Sequence, residues 1–210
     1  MTELTEFAEL AEFAELAELT EFIEFIELAE LPVFSNSVNF ANSVDSPKLF
    51  SEKTMPMRIG DEMPSMEGAT AWFNGSLEDT LMHAGGKPVL VHFWAVSCGI
   101  CKDKMPALAE LKKKYGALGL KTIAVHMPRY EADTDLDTVS AAIAANRIDE
   151  PTAVDSLHKL RDAFLNEQGW VPVYYLFDAD GKLKTRAAGE FGITVLTGAL
   201  DKMFSASLAT

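Results

Sequence analysis

Only two cysteines occur in the 210 residues, three positions apart, so no framework of structural disulfides can be built from them. No uncharged apolar run approaches the length needed to cross a bilayer, which argues against membrane insertion. Basic residues are not clustered: 18 Lys and Arg stand against 32 Asp and Glu, a net charge of -14, and nucleic acid has no electrostatic footprint to bind. The N-terminus lacks a basic region, and Glu interrupts every apolar stretch near it. No secretory signal is legible, and the expected location is cytoplasmic.

The charge that is present is unevenly spread. Residues 1–57 hold twelve acids against Lys48 and Lys53, a net of -10, leaving -4 for residues 58–210. Most of these acids belong to a three-residue repeat over residues 1–31, with Glu at positions 3, 6, 9 and onward to Glu30. On a helix a period of three drifts by about 60° per unit, so the Glu residues spiral around the surface; in a strand they alternate between faces. Neither arrangement makes a lasting apolar side. The segment is expected to be an acidic low-complexity extension, with a partner-binding arm as the alternative. Residues 32–57 turn to Ser, Asn and Pro and read as linker. A single folded domain is expected over 58–205, with Met55 or Met57 as a possible alternative start.

The stretch from Lys87 to Pro106, KPVLVHFWAVSCGICKDKMP, organises that domain. Val89, Leu90, Val91, Phe93 and Trp94 make an apolar run suited to a strand buried on both faces. Met105, Leu108, Leu111 and Tyr115 recur at helical spacing, so Cys98 and Cys101 fall where strand becomes helix. A helix N-terminus offers unpaired N–H groups and a positive dipole end, and both favour a thiolate on Cys98. Cys98 is therefore the expected nucleophile. A Cys-x-x-Cys pair can also be half of a zinc site, but zinc normally takes four ligands and the chain has no other cysteine.

With strand, Trp94, Cys98, Gly99, Ile100, Cys101 and Pro106 in this register, the segment resembles the bacterial TlpA-type thiol-disulfide reductases of the thioredoxin-like superfamily. The resemblance spans about Arg58 to Phe204. It implies an α/β fold: a mixed central sheet flanked by helices, a helix-strand insertion, and an N-terminal hairpin. It also implies a redox-active disulfide with no bound cofactor or metal, an external electron donor, and a protein or small-molecule disulfide as substrate. A monomer is the default expectation.

The rest of the chain fits that order. Ala69 to Phe73, followed by Asn74-Gly75, reads as a strand of the hairpin, and Leu77 to His83 as a short helix. Leu120 to His126 is a strand, Leu136 to Ala145 a helix behind a capping Asp or Thr, Pro151 to Val154 a short strand, and Leu157 to Phe164 a helix. Tyr174 to Phe177 and Leu183 to Ala188 make a hairpin around Asp178-Ala179-Asp180-Gly181, and a helix from Ile193 to Phe204 closes the domain.

The resemblance also suggests how a site would work. Pro172 matches a proline that is cis in thioredoxin-like folds and faces the cysteines; the alternative is an edge-strand proline. Val171 would then offer backbone hydrogen bonds to a substrate strand. Gly99 and Ile100 would contact substrate, and Trp170 either walls the groove or merely packs. His92 stands where thioredoxins carry a buried Asp, so it is either a proton relay for Cys101 or a buried core histidine. His126 either lines the cleft or is structural, and His83 and His158 have no distinguishing context. Ser97 and Lys104 also depart from the family pattern, Lys104 reading as solvated. A peroxidase is the enzymatic alternative, yet Ala95 stands where such enzymes need a Thr hydroxyl. A metal carrier using the two thiols is the non-enzymatic one.

Overall fold

The structure, a computed structural model, describes residues 55–207. The acidic repeat and most of the expected linker lie outside the described residues. In chain order the elements are β1 (Ala71–Phe73), α1 (Leu77–Ala84), β2 (Val89–Trp94), α2 (Gly99–Gly116), β3 (Lys121–His126), a 3-10 turn (Glu131–Thr134), α3 (Leu136–Ala145), β4 (Thr152–Val154), α4 (Lys159–Ala163), β5 (Val173–Phe177), β6 (Leu183–Ala188) and α5 (Gly192–Ser207).

The six strands form one sheet in the order β1-β4-β3-β2-β5-β6. Strand β2 lies between β3, parallel with Trp94 opposite His126, and β5, antiparallel with His92 opposite Tyr174. Every residue of β2 is buried, as its unbroken apolar run requires. Its period of two divides the core. Leu90 and Trp94 point to one face, with Cys98, Cys101, Met105, Leu108, Leu111 and Tyr115 of α2 and Leu196 and Leu200 of α5. Val89, Val91 and Phe93 point to the other, with Leu160, Phe164, Tyr175 and Phe177. Each fully buried side chain of this size contributes about 1.5–3 kcal/mol, so β2 anchors both layers.

Local chemistry sets the helix ends. Ser76 and Asp79 close a reciprocal cap on α1, the Ser76 hydroxyl accepting from the Asp79 N–H at 3.1 Å. Asp135 caps α3 by accepting from Thr138 N–H at 2.9 Å. Helix α2 carries Lys113 and Lys114 in its last turn, and Gly119 takes φ 104° just beyond it, a conformation that favours glycine. Helix α4 is shorter than the sequence pattern suggests. The Asp155 carboxylate accepts from the N–H groups of Leu160 and Arg161, so the helix begins only at Lys159.

The expected N-terminal hairpin takes another form. Strand β1 pairs antiparallel with β4, Ala71 opposite Val154, rather than with a neighbour in sequence. The lead-in before it clips onto the far edge instead, through Gly60 N–H to Leu183 O and Met63 N–H to Gly181 O, both 2.8 Å. Asn74 and Gly75 both have positive φ and turn the chain into α1, not into a returning strand. Among the described residues, no helix is long and apolar enough to cross a membrane.

Candidate active site

Strand β2 delivers the chain through Ala95–Cys98 to the N-terminus of α2, where Cys98 is the cap residue. Three hydrogen bonds hold this loop: Cys98 N–H to Ala95 O at 3.1 Å, Val96 N–H to His126 Nε2 at 3.4 Å, and Ser97 Oγ–H to Asp133 Oδ2 at 2.6 Å. A disulfide joins Cys98 and Cys101, and Cys98 Sγ accepts the Cys101 N–H at 3.1 Å. After reduction the same N–H and the helix terminus favour charge on Cys98.

Cys98 is 3% exposed and Cys101 1%, but the two differ in access. Cys98 lines a groove of about 440 Å³ at the C-terminal edge of the parallel strands, together with Gly99, Ile100, Arg129, Trp170 and Val171; Cys101 does not line it. The Val171–Pro172 bond is cis, and Val171 O lies 3.6 Å from Cys98 Sγ. With that sulfur in the disulfide there is no S–H to donate, so the approach is a packing contact. Val171 precedes β5, which leaves its backbone outside the sheet ladder and beside the sulfur. Trp170 is 50% exposed and forms one wall, held by buried Asn166 through Asn166 Nδ2–H to Trp170 O at 3.0 Å and backed by the Arg186 guanidinium 5.6 Å from its ring.

His92 shares its face of β2 with Trp94, but its hydrogen bond runs to neither cysteine. Its Nε2 donates to Glu150 Oε1 at 2.6 Å, and the other Glu150 oxygen takes the Lys112 ammonium, which also reaches Asp149 Oδ1 at 2.5 Å. Burial alone would raise the Glu150 carboxyl; the hydrogen bond from His92 and the Lys112 ammonium outweigh it and hold the group well below the usual carboxylate range. Burial would lower Lys112, but Glu150 and Asp149 raise it instead. The result is a buried row of acid, base and cation that emerges in a second surface groove lined by Lys112, Asp149 and Glu150.

His126 does not line the groove. It is fully buried against Trp94, ring centroids 5.0 Å apart, and burial lowers its pKa to about 4 against the pull of Asp133. It is neutral near pH 7, and its role is to hold Val96. Asp133 is 3% exposed; burial would raise it, but the Ser97 hydroxyl and the Arg129 and Tyr130 N–H groups keep it below the usual range. Lys104 is half-buried on α2 with no acidic partner among the described residues. His158 takes φ 57° at the start of α4, remote in role from the groove. The side chain of His83 lies outside the described residues.

Arg129, Asp133, Glu150 and Lys112 were not singled out by the sequence pattern. Glu150 meets His92 across 58 residues of chain and Asp133 meets Ser97 across 36, so only the folded register brings them together. Arg129 follows β3 at the same sheet edge as Cys98, a placement that topology alone could have flagged. Among the described residues no cluster of three or more His, Cys, Asp or Glu could hold a metal ion.

A Cys-x-x-Cys disulfide capping a helix after the central strand, faced by a cis-proline loop, defines a thioredoxin-like disulfide centre. The Redoxin family model matches residues 58–200, and the chain belongs to that family. It is 40% identical over 149 residues to the thiol-disulfide oxidoreductase YkuV of Bacillus subtilis, covering 71% of this chain and 98% of that protein. It is 30% identical over 147 residues to the thiol-disulfide oxidoreductase ResA of Bacillus cereus, covering 70% and 79%. A solution structure of a thioredoxin-like protein in the oxidised form superposes with a TM-score of 0.64 at 39% identity, covering 71% of this chain and 99% of that one. The chain is a thiol-disulfide oxidoreductase built on the Cys98–Cys101 couple.

Proposed function

We propose that the protein works as a disulfide reductase, taking electrons from an external dithiol and passing them to a protein or small-molecule disulfide. The observation that carries this reading is the asymmetry of the couple: Cys98 lines an open groove and Cys101 does not. Cys98 thiolate attacks one sulfur of the substrate; a Cys98–substrate bond forms and the other substrate sulfur leaves as thiolate with the electron pair. Cys101 thiolate then attacks Cys98 Sγ, the Cys98–Cys101 bond forms, and the second substrate thiolate leaves. Two electrons have moved to the substrate, and an external dithiol restores the pair by the reverse exchange.

Val171 pairs with an extended substrate through its backbone N–H and C=O, cis-Pro172 fixing that backbone beside Cys98. Gly99 and Ile100 form the floor and Trp170 the wall. His92 accepts the Cys101 proton, and the Glu150 carboxylate orients the imidazole and stabilises the cation that forms; its place on the α2 face of β2 and its bond to Glu150 support this role. The protein is expected to work as a monomer. The catalytic domain is residues 58–205, working in a reducing, cytoplasmic setting, and the N-terminal extension has no part in the chemistry. A peroxidase finds no support, because Ala95 brings no hydroxyl to the cysteine loop.

Turnover tests the proposal: dithiothreitol-driven reduction of a protein disulfide should be lost in Cys98→Ser and Cys101→Ser and retained when residues 1–54 are deleted. A couple that equilibrates near about -270 mV fits a reductase, while one near about -120 mV would make it an oxidant.

A further inference from the structure

Among the described residues, the groove beside Cys98 carries one charged side chain, a cation with no acidic partner. Arg129 lines the groove and forms no ion pair among the described residues. Its backbone is fixed, because the Arg129 N–H donates to Asp133 Oδ2 at 3.0 Å, and its guanidinium lies 5.5 Å from the exposed Tyr130 ring. The Asp133 carboxylate is buried and accepts from the Ser97 hydroxyl and the Arg129 N–H, and it forms no ion pair with the guanidinium. Glu167 and Glu190 adjoin lining residues in sequence, yet neither lines the groove. Arg186, which does not line the groove, stands over Trp170 and donates to the Tyr175 hydroxyl. Arg129 is thus the one charged side chain lining the approach to the reactive sulfur among the described residues, within a domain whose own charge is mildly negative.

We propose that Arg129 is a specificity-determining residue for the reductase reading above, selecting disulfides that carry a carboxylate close to the scissile bond. A guanidinium presents several N–H donors in a planar fork that matches a carboxylate, and a charge-assisted contact of this kind orients as well as attracts. A substrate sulfur aligned with Cys98 places its own flanking groups along the groove between Ile100, Trp170 and Arg129. A carboxylate there meets Arg129 directly, whereas an ammonium is repelled. The chemistry is the same whether the carboxylate belongs to a small acidic disulfide or to an Asp or Glu beside a cystine in a peptide. No further reactant enters, since the exchange and its dithiol donor are those already given.

The test compares initial rates, in the dithiol-reduced full chain, on three small disulfides of similar size: dithiodipropionate (anionic), hydroxyethyl disulfide (neutral) and cystamine (cationic). Wild type should rank them anion, neutral, cation after correction for their intrinsic reactivity toward free dithiol. In Arg129→Ala the anion-to-neutral ratio should fall about fivefold, and Arg129→Lys, which keeps the charge but not the planar fork, should restore only part of it. Raising the ionic strength from about 0.05 M to about 1 M should compress the ranking in wild type and leave the alanine variant's ratio unmoved. Cystine-bridged peptides with Glu, or Gln, beside each cysteine separate the sources: a larger Glu-over-Gln ratio than the small-molecule ratio points to acidic peptides, a smaller one to small carboxylated disulfides, and either supports the assignment. Equal reduction of all three compounds by wild type overturns it. So does a uniform loss across all three in Arg129→Ala, which would mean that Arg129 acts on the Cys98 thiolate and not on the substrate. If wild type reduces none of them, the reductase reading falls as well.

Discussion

Replacing Glu150 with Gln tests the buried charge row beneath the site. The substitution keeps an oxygen to accept from His92 Nε2 but removes the charge that faces both His92 and Lys112. Breaking one member of a buried pair costs about 3–5 kcal/mol, and the lower end applies because Asp149 still holds Lys112. About 3 kcal/mol in a domain of this size lowers Tm by roughly 9 °C. The pH dependence gives the sharper check. Folding depresses the Glu150 pKa, so its contribution is present above the ordinary carboxylate pKa near 4.5 and is lost as pH falls through the folded value. Between pH 5 and pH 3 the unfolded chain takes up the proton first, and the gap between wild type and Glu150→Gln should narrow by about 2 kcal/mol. Urea unfolding of both proteins, with the disulfide intact, measures this. A gap below about 1 kcal/mol at pH 5, or one that does not narrow by pH 3, refutes the reasoning.

Asp133→Asn removes a buried negative charge hydrogen-bonded to the residue before Cys98, so iodoacetamide alkylation of reduced Cys98 should be faster near neutral pH than in wild type. An unchanged or slower rate contradicts this. His126 is held neutral by burial, its pKa lowered to about 4; the unfolded chain binds its proton near 6.5, so stability is lost as pH falls from 6.5 toward 4, by up to about 3 kcal/mol. His126→Gln should flatten that acid limb in unfolding measurements, whatever its effect at neutral pH. A Cβ on Gly192 would lie 2.7 Å from Tyr174 Cε2, a ring packed between sheet and α5, so Gly192→Ala should cost about 2 kcal/mol by chemical denaturation. A neutral effect there would mean that the start of α5 can shift.

Where periodicity and end signals are strong, the sequence alone locates the elements. Helix α3 runs over the expected Leu136–Ala145 because Asp135 caps it, and β6 over Leu183–Ala188 because the Asp178–Gly181 turn fixes where it begins. The disulfide couple was legible from its Cys-x-x-Cys spacing, whereas the cis bond before Pro172 was expected only through the family resemblance, since a Val-Pro step alone does not mark a cis bond. Pairing partners were not. Nothing within Ala71–Phe73 says that its neighbour is β4, about eighty residues on, and the Asn74-Gly75 turn signal serves a helix entry equally well. His92 was recognisable as a polar residue in an apolar strand, but the acid that satisfies it arrives from a loop that only the fold brings near.

The most direct test of the central claim is to mix reduced Cys101→Ser with hydroxyethyl disulfide and weigh the product by mass spectrometry, with Cys98→Ser as control. The account predicts one stable mixed disulfide, mapped to Cys98, and little or no adduct on Cys101 in the control, because only Cys98 opens onto the groove. Equal adducts on both, or none on Cys98, would contradict it.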